Sequence, residues 1–124
     1  MDQHQFSVQV KVTYLPEESD AENRQFAFAY TITIKNTGQT PAQLIARHWI
    51  ITDGDEEVQE VRGLGVVGQQ PLLRPGEQFE YTSWATLPTP MGTMRGDFFC
   101  VSEDAQFFQT PIPEFALVMP RTLH

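Results

Sequence analysis

The sequence predicts an all-β chain folded as an antiparallel β-sandwich of about seven strands. Three observations point there. Apolar and polar residues alternate with a period of two through several segments. Turn residues recur about every ten positions between those segments. No stretch carries a convincing helical period of about 3.6 residues. A small β-barrel is the alternative architecture.

Taken in order, Phe6, Val8, Val10, Val12 and Tyr14 alternate with Ser7, Gln9, Lys11 and Thr13, which makes 5–14 a half-buried strand. Residues 15–23 contain Pro16, Glu17, Glu18, Asp20 and Glu22 without an apolar period and read as a solvated connection. The clearest alternation runs over 24–35, with Phe26, Phe28, Tyr30, Ile32 and Ile34 on one face. Turn chemistry at Gly38 and Pro41 ends it. A third strand, 42–52, is apolar in both phases and so reads as central to a sheet. Asp53-Gly54 signals a hairpin, and 56–62 reads as the returning strand, with Val58 and Val61 as its apolar points. The stretch from Gly63 to Gly76 has no clear period and reads as a loop, long for a compact β domain.

Residues 77–85 resume as a strand through Phe79 and Tyr81, which Pro88, Pro90 and Gly92 break. In 93–102, Phe98 and Cys100 face one way and Phe99 and Val101 the other, which predicts a strand covered on both faces with a bulge at Gly96. Pro111 and Pro113 place the last extended segment, 107–118, at a sheet edge in two pieces. With Trp49 on the third strand, the pattern fits an immunoglobulin- or fibronectin type III-like architecture spanning a single domain, 1–124.

Charge narrows the function classes. A formal net charge of -8 opposes binding to nucleic acid or an anionic membrane surface, because neutralising phosphates needs clustered cations. The central arginines Arg47, Arg62, Arg74 and Arg95 still leave room for a local carboxylate or phosphate site. The single Cys100 has no intramolecular disulfide partner, and Met1 is followed by polar Asp2 and Gln3 rather than a signal-peptide pattern. With no apolar run of about twenty residues, a soluble cytoplasmic protein without membrane insertion is expected.

Gly63, Gly65 and Gly68 stand at the spacing Gly-x-Gly-x-x-Gly. A dinucleotide site needs that spacing between a strand and a helix, and Pro71 and Pro75 forbid the helix. Two readings remain: an anion-holding nest of backbone amides flanked by Arg62 and other arginines, or a loop whose glycines only turn the chain. Asp53 and Asp55, with Glu56 and Glu57, are weak divalent-metal candidates without calcium-loop spacing, and a solvated hairpin tip is the ordinary explanation. His4, His48 and His124 are too scattered to form a visible metal set. Cys100 needs a base such as His48 beside it to be a nucleophile; its apolar strand suits a buried thiol. Arg95 is a ligand contact or a partner for a neighbouring acid. No cofactor is implied.

Three blocks resemble the ApaG family: Arg47-His48-Trp49-Ile50-Ile51-Thr52-Asp53; 60–71 together with 75–81; and Leu87-Pro88-Thr89-Pro90-Met91-Gly92-Thr93-Met94-Arg95-Gly96. Trp84-Ala85 and Met91 depart from its pattern. The resemblance implies a fibronectin type III-like fold. It also implies a stand-alone bacterial form of a domain found in eukaryotic F-box and polymerase-interacting proteins, and a family name tied to cobalt resistance and magnesium efflux without an established catalytic mechanism. The expectation is a non-enzymatic binding or interaction module with an indirect part in divalent-cation homeostasis, its contacts made by strand edges and the 63–76 loop. The alternative is a protein holding a phosphate- or pyrophosphate-containing compound at Gly63, Gly65 and Gly68 through Arg62, Arg47 or Arg95. A Pro-bearing edge strand and exposed apolar residues leave room for a homodimer.

Overall fold

The computed structural model describes residues 4–120. The residues before His4 and after Pro120, including His124 and the polar start at Met1, lie outside the described part. Eight strands form two antiparallel sheets: β1 (Phe6–Tyr14), β2 (Phe26–Asn36), β3 (Ala42–Asp53), β4 (Val58–Leu64), β5 (Leu72–Leu73), β6 (Gln78–Leu87), β7 (Met91–Ser102) and β8 (Phe107–Val118). One sheet has the order β1-β2-β6, the other β4-β3-β7-β8, with β5 also paired to β3. The sandwich expected from the alternation is the architecture found.

The alternation of β2 does what a period of two requires: Phe28, Ile32 and Ile34 are fully buried and face the other sheet. Opposite them, Trp49 of β3 meets Tyr30, Phe98 and Phe115 edge-on, with ring centroids 5.5, 6.4 and 5.9 Å apart. Each such ring contributes about 2 kcal/mol by burial, and edge-to-face geometry adds to it. Leu44, Met94, Cys100 and Leu117 complete the core.

Several expectations change in detail. The connection over 15–23 holds two 3-10 turns, Pro16–Glu18 and Ala21–Asn23. Strand β2 starts at Phe26 because Arg24, with φ 55, caps the second of them in the left-handed region. In the β3–β4 hairpin the positive-φ residue is Glu56 rather than Gly54, and the Asp53 carboxylate accepts the amides of Asp55 and Glu57 to hold it. β7 pairs evenly with β3 through Arg95 and Gly96, so the bulge expected at Gly96 is not in this strand; the extra residue lies in β8, where Pro113 and Glu114 together oppose Arg95. β8 is one continuous strand, since its prolines sit where the edge demands no donor. The largest correction concerns β7: its outer face is not covered, and Phe99 is 39% exposed there.

One polar side chain organises an end of the sandwich. Asn36 is 1% exposed and continues the inner face of β2. Its amide nitrogen donates to Thr40 O and Leu73 O, and its amide oxygen accepts from Gly38 N. The end of β2, the turn after it and β5 are thereby tied together. Asn36→Ala removes the side-chain donor from the Thr40 and Leu73 carbonyls, the latter bond buried, while Gly38 N keeps Gln5 O, so we expect a loss of about 2 kcal/mol in urea unfolding, with an unchanged m-value.

Candidate functional site

The glycine stretch is a folded device rather than a slack loop. β4 pairs with β3 as far as Leu64 opposite Ala46, and β5 resumes the same antiparallel pairing with Leu72 opposite Gln43. Residues 58–73 are therefore one edge strand from which 65–71 is pushed out. The ejection coincides with an irregularity in β3 at Ile45. The Ile45 carbonyl accepts both Gly65 N, at 2.8 Å, and the Gln70 side-chain amide, at 3.0 Å. Val66 and Gln69 exchange backbone hydrogen bonds of 2.8 and 2.9 Å around Val67-Gly68, whose φ angles are 45° and 80°. Two consecutive left-handed residues make this the two-residue hairpin turn favoured by strand twist. Val66 points inward and is fully buried.

Arg47 fixes the device from the core side. It stands directly across from Gly63, where a Cβ would lie 2.8 Å from the guanidinium. Over that gap its Nη1 donates to Leu64 O and Gly65 O, both at 2.9 Å. The carbonyls of the motif thus face the cation, while the amides of Gly65, Val66 and Gln69 are spent on protein acceptors. Among the described residues only the Val67 and Gly68 amides of the turn make no hydrogen bond.

Those two amides border a cleft of about 170 Å³ at the open side of the sandwich, lined also by Tyr30, Arg47, Trp49, Tyr81 and Ser83. The Tyr81 hydroxyl is buried there with no hydrogen-bond partner. Burial first, and the nearby Tyr30 second, push its ionisation well above the ordinary phenol value.

The remaining predicted residues lie elsewhere. Arg62 pairs across from His48, and Arg95 across from Ile50, on the outer face of the five-stranded sheet. Glu60 accepts hydrogen bonds from His48, at 3.2 Å, and Arg62, at 3.4 Å, and the His48 contact leads in holding its carboxyl below the usual range. Arg95 makes no ion pair among the described residues. Of the arginines assigned to the loop, only Arg47 reaches it from the inner side. Asp55 pairs with Arg24 at 2.8 Å, and Asp53 is occupied by the hairpin amides. No group of three or more His, Cys, Asp or Glu is placed to hold a metal among the described residues. Cys100 faces the core and His48 the outer surface, so they do not meet. Burial pushes the thiol up to about 11.

What sequence reading missed is the outer face itself. A groove of about 460 Å³ runs between Leu64, Ala46, His48, Asp97 and Phe99. Leu64 is 74% exposed and Phe107 68%, and Leu72 is exposed as well. Phe99 and Phe107 stack with centroids 5.4 Å apart. The signal was present in the two-phase apolarity of 98–101, which fits a covered face and a contact face equally well.

A family model described as the ApaG domain matches residues 16–102. The chain belongs to the ApaG family. It is 64% identical to Protein ApaG of Ralstonia nicotianae over the whole of both chains. It is equally identical to Protein ApaG of Bordetella pertussis, over 98% of this chain and 92% of that one. A crystal structure from Bordetella pertussis, described as an ApaA protein, superposes with a TM-score of 0.94 at 62% identity, covering 98% of each chain. No described helix is long and apolar enough to cross a membrane.

For this ApaG chain the geometry predicts unequal glycines. At Gly65 (φ 67°) a Cβ would lie 2.5 Å from Gln69 O, whereas at Gly68 (φ 80°) it would meet nothing within 4 Å. Gly65→Ala is expected to cost about 3 kcal/mol in urea unfolding and Gly68→Ala about 1 kcal/mol. Equal losses would contradict the hairpin geometry. The raised Cys100 and Tyr81 ionisations also set an alkaline limit. Both groups are neutral in the folded chain and ionise more readily unfolded, so the Cys100 contribution is complete below the ordinary thiol value of 9.0 and is lost as pH rises through about 11, and the Tyr81 contribution begins to fall above the ordinary phenol value of 10.0. Unfolding followed from pH 8 to 11 should show that fall, and Cys100→Ala should lessen it.

Proposed function

We propose that this ApaG chain is a non-enzymatic module, a single domain over 1–124, that acts in the cytoplasm by binding another protein, and that its bearing on cobalt resistance and magnesium efflux is indirect. The observation that carries this reading is the uncovered apolar face of the five-stranded sheet. Leu64 and Phe99 line its groove, Phe107 stacks on Phe99, and His48, Arg62 and Asp97 rim it. An exposed aromatic patch with a polar rim is the composition of a contact surface, and leaving it in water lowers solubility without adding stability. A partner bound there makes the cation effect one of assembly, with no metal held by the chain itself. A second copy of the chain is the other occupant such a face admits, and sedimentation separates the two.

A second reading keeps a phosphate- or pyrophosphate-containing compound at the Gly63–Gly68 loop. Its support is the pair of free amides at Val67 and Gly68, which open on the cleft shared with Arg47 and the Tyr81 hydroxyl. Calorimetric titration with pyrophosphate tests it, and absence of heat at millimolar ligand removes it.

The primary reading is tested by complementation in a bacterial host deleted for its own family member and scored for cobalt tolerance. The double variant Leu64→Glu and Phe107→Glu, changed only at exposed positions, should keep its melting temperature yet fail to restore tolerance. Gln9→Lys on the opposite sheet should restore it. Full complementation by the double variant would overturn the assignment of the face.

A further inference from the structure

The two lateral sides of the sandwich are built differently. On one side β1 and β8 pack together through Phe6 and Phe108, whose centroids are 5.4 Å apart, and His4 bonds Asp104 at 3.1 Å. β8 also carries Pro111 and Pro113, which deny a ladder to any newcomer. On the other side β6 pairs only with β2, so its second edge is free along Gln78–Leu87. That edge contains no proline, lysine or arginine, and its only charge is Glu80. Free strands of this length are normally blunted by such residues. Here they are missing on one side only.

Two recesses open along this edge, between β6 and the β3–β4 edge opposite. The first is the 170 Å³ cleft with Tyr81, Ser83, Arg47 and the Val67-Gly68 turn. The second, about 190 Å³, is lined by Leu87, Ile51 and Val58 together with Asp53 and Glu57. Ser83 and Leu87 both face inward and stand four residues apart, which along a strand is about 13 Å. Residues i and i+4 of an extended peptide share one face at the same spacing.

We propose that β6 receives an extended segment of a partner protein as an added antiparallel strand, with a lysine side chain in the second recess and, four residues later, a glutamate in the first. The first recess offers donors and no carboxylate: the unpartnered Tyr81 hydroxyl, on a residue only 7% exposed, the free amides of Val67 and Gly68, and Arg47. A carboxylate satisfies these groups together. The second recess offers the Glu57 carboxylate and the Asp53 oxygen that the hairpin amides leave over, above an apolar floor, which suits an ammonium on an aliphatic stem. Val67 fits the same scheme. An exposed β-branched residue held at φ 45° costs folding energy, and at the rim of the first recess it gives apolar contact to the added strand. Backbone pairing supplies affinity and the two side chains supply choice of partner. The proposal rests on the interaction-module reading but not on the outer apolar face, so the double variant at Leu64 and Phe107 leaves it intact.

The test uses a fluorescein-labelled nine-residue peptide with lysine at its third position, valine at its fifth, glutamate at its seventh and threonine elsewhere, followed by anisotropy and by amide NMR. Saturable binding with shifts confined to β6, the Val67-Gly68 turn and the two recesses is expected. Tyr81→Phe, which removes only the unpartnered hydroxyl, should keep the melting temperature and weaken binding about tenfold. Exchanging lysine and glutamate in the peptide should weaken binding at least about tenfold. Methylation of alternate peptide nitrogens should abolish binding in one phase and spare it in the other. No saturable binding by the designed peptide, equal binding by the exchanged peptide, or indifference to both methylation phases would overturn the proposal.

Discussion

The guanidinium of Arg47 lying across Gly63 is the contact on which the distinctive half of this structure depends. An arginine on the core-facing side of a sheet needs acceptors, and here it finds them in Leu64 O and Gly65 O. It reaches them only because the residue opposite has no side chain. The edge strand can then leave the sheet at Gly65, turn over Val67-Gly68 and return at Leu72 without stranding its carbonyls. The glycine spacing that suggests a nucleotide fold is thus spent on a short hairpin. Its charge pattern is the reverse of a phosphate nest, with carbonyl oxygens gathered around a cation and most amides already used.

That excursion shapes both surfaces beside it. On the outer side it ends β4 at Leu64, so that Leu64, Phe99 and Phe107 share an open apolar face with the Arg62–Glu60–His48 cluster beside it. On the lateral side it carries the Val67-Gly68 turn toward β6 and walls the cleft into which the Tyr81 hydroxyl points. A sandwich with one side sealed by aromatic packing and the other unpaired is suited to contact with another chain. A solved structure similar to this chain at 62% identity has the same sandwich, and Asp53, Asp55 and Glu60 are engaged by the hairpin amides, by Arg24 and by His48 with Arg62.

The strands were legible because their signal is local. Phe26 to Ile34 alternate regardless of what lies across the sheet, and the two-phase apolarity of β3 marks a strand with neighbours on both sides. The glycine stretch was not legible, because its partners, the Ile45 carbonyl and Arg47, are distant in sequence and no periodicity announces them. The same limit applies to the arginines. Arg47, Arg62 and Arg95 look equivalent in the chain, yet one residue of parity puts Arg62 and Arg95 on the face away from Arg47. For Phe99 the composition was read correctly and the burial was not, since an apolar residue on a sheet signals a contact without saying whether this chain or another supplies it.

The glycine motif is a fixed hairpin clamped by Arg47, and residue-resolved amide hydrogen exchange tests this most directly. In the free protein the amides of Gly65, Val66 and Gln69 should be strongly protected and those of Val67 and Gly68 unprotected, with the difference lost in Arg47→Met. Uniformly fast exchange from Gly65 to Gln69 in the unaltered chain would contradict it.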